Sequence, residues 1–119
     1  MAYDQYLAER ISNIIKRRNI SFNTKDMMGG LLFQVDDKML CGIHIDKKLN
    51  ISLLMARIGE EAYEQEIKKS ECLPMDFTGR PMKGYLFVKP EGFDLEVDLE
   101  YWIDLCLAFN PFAKASKKK

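Results

Sequence analysis

Apolar residues recur at helical spacing at the start of the chain. Tyr3, Tyr6, Leu7, Ile11, Ile14 and Ile15 fall on one side of a 3.6-residue repeat, with Asp4, Glu9, Arg10, Asn13, Arg17 and Arg18 on the other. The pattern predicts an amphipathic first helix, and Lys16 to Arg18 suit its C-terminal end, where the backbone carbonyls favour cations. After a short apolar stretch at Ile20 to Phe22, read as a brief strand, and Met28-Gly29-Gly30, the period changes to two. Leu31, Phe33 and Val35 face one way, and beyond Asp36-Asp37 so do Met39, Cys41, Ile43 and Ile45. Asp tolerates the left-handed turn conformation, so the pair of aspartates predicts a tight hairpin. A further turn at Asp46-Lys47-Lys48 leads to a strand over 49–57 with Ile51, Leu53 and Met55 aligned. Connections this short permit only antiparallel pairing.

Gly59 ends that strand, and Glu60 to Lys69 reads as a short helix with acids in its first turn, lysines in its last, and Ala62, Tyr63 and Ile67 toward the sheet. Residues 70–82 carry Pro74, Gly79 and Pro81 and predict a loop, followed by a strand from Lys83 to Lys89. A last helix begins near Asp94 with a core stripe of Leu99, Trp102, Ile103, Cys106 and Phe109, and Pro111 ends it. Leu95, Tyr101, Leu105 and Leu107 add apolar groups around the rest of its circumference, which predicts cover on more than one side and a homodimer through this helix. The elements add up to an α+β fold of two layers, an antiparallel sheet with helices packed on it. Residues 1–110 form one domain, and 111–119 form a flexible Lys-rich tail too polar to fold alone.

Length and composition add limits. At 119 residues, 47% hydrophobic and 30% charged, the chain is an ordinary globular domain, and no apolar run approaches the ~18 residues that cross a bilayer. Asp4, Glu9 and Arg10 interrupt the opening segment, so no secretory signal is expected, and a cytoplasmic location without membrane contact follows. The 18 basic and 18 acidic residues cancel, but not locally. Lys114, Lys117, Lys118 and Lys119 crowd the tail, leaving the body mildly acidic, while Glu91, Asp94, Glu96, Asp98, Glu100 and Asp104 form an acidic run and residues 1–25 run the other way, with five bases against two acids. Such a split predicts either a dipolar surface that orients a partner or solvated charged faces.

Candidate chemistry is sparse. Cys41, Cys72 and Cys106 are an odd set without C-x-x-C spacing, and all three are expected to be reduced, with Cys72 placed in a loop. The one histidine, His44, lies on the strand face opposite Cys41 and Ile43, where it is either a lone general base or a structural imidazole. The acidic run lacks the spacing of a cation-binding loop. No catalytic constellation, metal site or cofactor is therefore expected. Lys83-Gly84-Tyr85-Leu86-Phe87-Val88 matches part of an RNA-recognition consensus and, with the Lys tail, supplies the alternative of a nucleic-acid binder. The loop Asp76-Phe77-Thr78-Gly79-Arg80-Pro81-Met82-Lys83-Gly84 concentrates glycine, proline and two cations in a short span. Thr78, Gly79, Arg80, Lys83 and Gly84, with Arg57 at the end of its strand, form the candidate binding set. Arg80 either holds a carboxylate or phosphate in its planar fork or pairs with Asp76 and pins the loop.

Met1-Ala2-Tyr3-Asp4, Met28-Gly29-Gly30-Leu31, Lys38-Met39 with Cys41-Gly42, Arg57-Ile58-Gly59, the 76–84 loop and Pro90-Glu91-Gly92 together resemble, in order and spacing, the N-terminal domain of the TfoX/Sxy family of bacterial competence regulators. Two positions depart from the family pattern: Met28, where an aromatic is common, and Asp37, where Gly is usual. The competence regulators carry a further C-terminal helical domain, for which residues 1–119 offer no counterpart. The resemblance implies a secretion-chaperone-like order of helix, three strands, helix, two strands, helix. For function it implies a non-enzymatic domain that helps regulate transcription by contacting a protein partner, and it supplies no catalytic residues.

Overall fold

A computed structural model describes residues 5–27, 30–46, 50–74 and 84–112. Helix α1 (Gln5–Arg17) buries Leu7, Ile11, Ile14 and Ile15, the i, i+4, i+7, i+8 stripe of an amphipathic helix. Strands β1 (Asn23–Met27), β2 (Gly30–Val35), β3 (Lys38–Asp46) and β4 (Ile51–Arg57) follow as an antiparallel meander. Helix α2 (Glu60–Glu66) then leads to β5 (Cys72–Pro74) and β6 (Tyr85–Val88), and β6 inserts beside β4, giving the order β1-β2-β3-β4-β6-β5. A 3-10 turn at Pro90–Gly92 precedes α3 (Glu96–Phe109), and a second, Asn110–Phe112, ends it. The fold is α+β, an antiparallel sheet with three helices, as the periodicity predicts.

Several local expectations change. The strand sought at Ile20 to Phe22 begins instead at Asn23, and Ile20 and Phe22 pack against the core from the preceding segment. Four strands precede α2, as the residue pattern predicts, where the order implied by the resemblance has three. Met39 does not share a face with Cys41 and Ile43. Phe33 pairs with Cys41 and Gln34 with Met39, so Leu40 is an extra residue, and this bulge inverts the alternation on either side of it. Leu40 and Cys41 both enter the main core, while Met39 packs on the opposite sheet face. Cys72 is not in a loop but opens β5, buried opposite Val88, and Pro74 is harmless there because β5 is an edge strand.

The main core lies between the sheet and the helices: Leu31, Phe33, Ile43, Leu54, Leu86 and Val88 meet the α1 stripe, Tyr63 of α2, and Leu99, Trp102, Ile103 and Cys106 of α3. A second cluster of strand residues, Leu53, Met55 and Phe87 with Leu32, Met39, Ile51, Leu73 and Tyr85 around them, forms on the other sheet face. The acidic and basic runs of the sequence meet each other. Arg10 donates to the Phe93 and Asp94 carbonyls at 3.0 and 3.2 Å, Arg17 reaches Glu96 and Glu100, and Arg18 grips Asp104 with two bonds of 2.9 Å. The two runs thus pair with each other through Arg10, Arg17 and Arg18, which form a ladder across to the 93–104 segment.

The β2–β3 hairpin turns on Asp36 and Asp37 with φ of 57° and 63°, the two left-handed residues of a type I′ turn. Aspartate adopts that conformation at a cost that glycine escapes. Asp37→Gly is expected to raise stability by about 0.5–1 kcal/mol, read as a higher urea midpoint at unchanged slope.

Candidate functional site

The end of β4 and the start of α2 form one wall of a cleft of about 390 Å³, and the C-terminal half of α3 forms the other. Its lining is Ile58, Gly59, Glu60, Glu61, Ala62, Leu105, Ala108, Phe109 and Phe112. Local backbone demands explain its shape. Gly59 has φ of 89°, and a Cβ there would lie 2.6 Å from the Phe109 ring, so glycine both turns the chain from strand to helix and lets Phe109 approach. Gly84, at φ of 96°, presents its carbonyl to the amides of Ile58 and Gly59 at 2.8 and 3.1 Å. The last residue of the 76–84 loop is therefore fastened to the β4–α2 junction.

Arg57 stands beside this junction, its guanidinium 5.3 Å from the Tyr85 ring centre and 5.8 Å from that of Phe109. The structure thus brings Arg57 and Gly84 of the candidate set to one place, at the margin of the cleft. Thr78, Gly79, Arg80 and Lys83 lie outside the described residues. What the sequence reading missed is the cleft itself. Phe112, beyond Pro111 where the helix was expected to be over, is 80% exposed, and Ala108 and Ala62 are small residues that leave room between the helices. The available signal was the apolar circumference of the last helix. Of its four extra groups, Leu95 and Tyr101 are exposed, whereas Leu105 and Leu107 pack in part against the core.

One turn along α3 from the cleft, Tyr101 donates its hydroxyl to Glu66 Oε2, and Lys69 Nζ lies 2.6 Å from Glu66 Oε1. The ammonium also stands over the Tyr101 and Trp102 rings, at 4.6 and 5.3 Å from their centres. Glu66 is a buried acid, so both partners are needed to offset its desolvation. The hydrogen bond to Glu66 raises the Tyr101 phenol above its ordinary value, and the same carboxylate raises Lys69.

The other chemically suggestive groups are enclosed. Cys41, Cys72 and Cys106 are free, buried thiols. Burial pushes Cys106 up to about 12, and burial with the charges of Glu71 and Glu66 does the same for Cys72. Cys41 is raised well above the ordinary range by burial. A thiol held protonated is a poor nucleophile. His44 stacks on Phe87 at 5.3 Å, and Phe87, with 6% exposure, offers little ring face to a nucleic-acid base. Among the described residues no group of three or more His, Cys, Asp or Glu is placed to hold a metal ion, and no helix is long and apolar enough to cross a membrane. A polar hollow on α1 is lined by that helix alone.

No protein-family model, curated protein or solved structure matches the chain, so the TfoX/Sxy resemblance stands on the residues quoted for it.

Two outcomes follow. Folded-state values near 12 against 9.0 for free thiols mean that the unfolded chain gains by ionising first as pH rises. Stability is expected to be complete below pH 9 and to fall between pH 9 and 12 by about 1.4 kcal/mol per unit per thiol, while a thiol reagent at pH 7.5 labels the cysteines only in denaturant. Tyr101→Phe, which leaves Glu66 Oε2 without its donor, is expected to cost about 1–2 kcal/mol in chemical denaturation.

Proposed function

We propose that this chain is a non-enzymatic regulatory domain that works by protein–protein contact, with the α2–α3 cleft and the neighbouring Arg57 and Gly84 junction as its contact surface. The observation that carries the reading is an apolar cleft whose outer lip, Phe112, is 80% exposed. Fully burying a Phe side chain is worth about 1.5–3 kcal/mol, and the domain's own fold leaves that gain unused at Phe112. Enclosed, protonated thiols and a histidine stacked on a neighbouring ring favour a binding role over a catalytic one. The resemblance to competence regulators supplies the setting, control of transcription in the bacterial cytoplasm through a protein partner, and the candidate residues Thr78, Gly79, Arg80 and Lys83 precede Gly84, which is fastened to the contact surface.

A homodimer through the last helix is the second reading, favoured by the exposed apolar groups of α3. A photo-crosslinking residue in place of Phe112, used in the native host, tests both. Capture of one protein, lost when Leu105→Asp is added, is the expected result. Self-crosslinking alone would leave the dimer, and recovery of nucleic acid in place of protein would overturn the proposal.

A further inference from the structure

The outer face of α3 carries more than the cleft. Val97, Tyr101, Leu105, Ala108 and Phe112 follow one another at steps of four, four, three and four residues, so they form a single stripe along the helix and its terminal turn. Val97 is 67% exposed, Tyr101 43% and Phe112 80%. Two other sides of the same helix are occupied, because Leu99, Trp102, Ile103 and Cys106 enter the core and Glu96, Glu100 and Asp104 bond to Arg10, Arg17 and Arg18. Tyr101 bonds Glu66 and meets the Trp102 ring by its edge, and Leu105 packs in part against the core, yet Val97, Tyr101 and Phe112 keep a large exposed apolar area that the described residues leave uncovered. At 1.5 Å per residue it runs about 20 Å, the length of a partner helix of roughly four turns.

Charge identifies the occupant. Glu60 and Glu61 line the cleft, are exposed, and have no ion-pair partner among the described residues, and Glu64 is exposed one turn further along α2. Arg57 at one end lies over the Phe109 ring and Lys69 near the other is paired with Glu66, so three exposed glutamates of α2 face one cation beside the cleft, and the described rim is acidic in balance. Among the described residues, packing a second copy on the stripe brings Asp98, which flanks its start, or Glu60 and Glu61 at its end against the same acids of the other copy. An anionic membrane or a nucleic acid laid on the stripe meets the same carboxylates of the described rim.

Resting on the contact surface proposed above, we infer that the α3 stripe and the α2–α3 cleft receive an amphipathic helix of a partner protein whose apolar face is flanked by Lys and Arg. The apolar side chains of that helix enter at i, i+3 or i+4 and i+7, in the manner of a helix laid in a groove. Its cations reach Glu60 and Glu61 across the rim, which speeds encounter and excludes acidic helices.

The test uses fluorescence anisotropy with the full chain and three labelled peptides of about 16 residues, long enough for four turns. One is a Leu/Lys amphipathic helix, one has Glu in place of each Lys, and one has the Leu/Lys composition scrambled. The basic amphipathic helix is expected to bind best, more weakly as salt rises, and to lose about tenfold with the double variant Glu60→Lys, Glu61→Lys, whose exposed positions leave folding intact. Phe112→Ser, also at an exposed position, is expected to weaken it several-fold. Equal binding of the basic and acidic helices, equal binding of the scrambled peptide, or unchanged affinity in the double variant would overturn the inference. So would sedimentation of the free chain as a dimer that Phe112→Ser dissociates. If the Phe112 crosslinker captures a protein whose contacting segment is not a basic helix, this inference fails while the partner-binding reading survives; if it captures no protein, the earlier reading fails first.

Discussion

Trp102 is the largest fully buried side chain, and its indole N–H donates to the Gly92 carbonyl at 3.0 Å. Packing and hydrogen bonding together fix how α3 sits on the sheet, because a rotation of the helix would bury an unsatisfied donor as well as open a void. At the far end, the buried Asn110 amide donates to the Val35 carbonyl at 3.3 Å, and Lys38 donates to the Asn110 carbonyl, so the helix is fastened to the β2–β3 hairpin too. With both ends held, the remaining sides of α3 have no freedom. One must meet the arginines of α1, and one must point outward with Val97, Tyr101, Leu105, Ala108 and Phe112 on it.

The α1–α3 ladder changes what the charge pattern means. An acidic run and a basic run on one chain suggest a dipole that a partner reads from a distance. Here Arg10, Arg17 and Arg18 each reach acids or carbonyls of the 93–104 segment, so most of that charge is cancelled across a few ångströms and its field is short. Exposed ion pairs of this kind contribute little to stability. Their consequence is subtraction, since among the described residues Glu60 and Glu61 at the cleft have no ion-pair partner beside an apolar surface. The feature that matters electrostatically is one that composition and charge runs do not reveal.

The fold class was legible because the long elements carry a clear period: four buried positions in α1 repeat at helical spacing, and Leu31, Phe33 and Val35 alternate in β2. What escaped were features created by pairing. The bulge at Leu40 depends on how β2 and β3 register, and nothing within β3 announces it. β5 is only three residues long and contains a proline, so it exists by virtue of β6 beside it. The cleft followed the same rule. Arg57 and Gly84 were found from their loop and strand-end positions, but Ala62, Ala108 and Phe112 acquire their role only once α2 and α3 are set side by side. The apolar circumference of the last helix announced a covered surface without saying which side chains form it.

The account stands on the outer side of α3 being uncovered in the free chain and covered in the working one. Hydroxyl-radical footprinting compares the purified chain with the chain recovered in complex from its native host, resolved residue by residue by mass spectrometry. Strong labelling of Tyr101 and Phe112 in the free chain and protection of both in the complex, with Tyr6 on α1 labelled equally in each, is the predicted result. Equal labelling of Tyr101 and Phe112 in the two samples, or their protection in the purified chain, would contradict it.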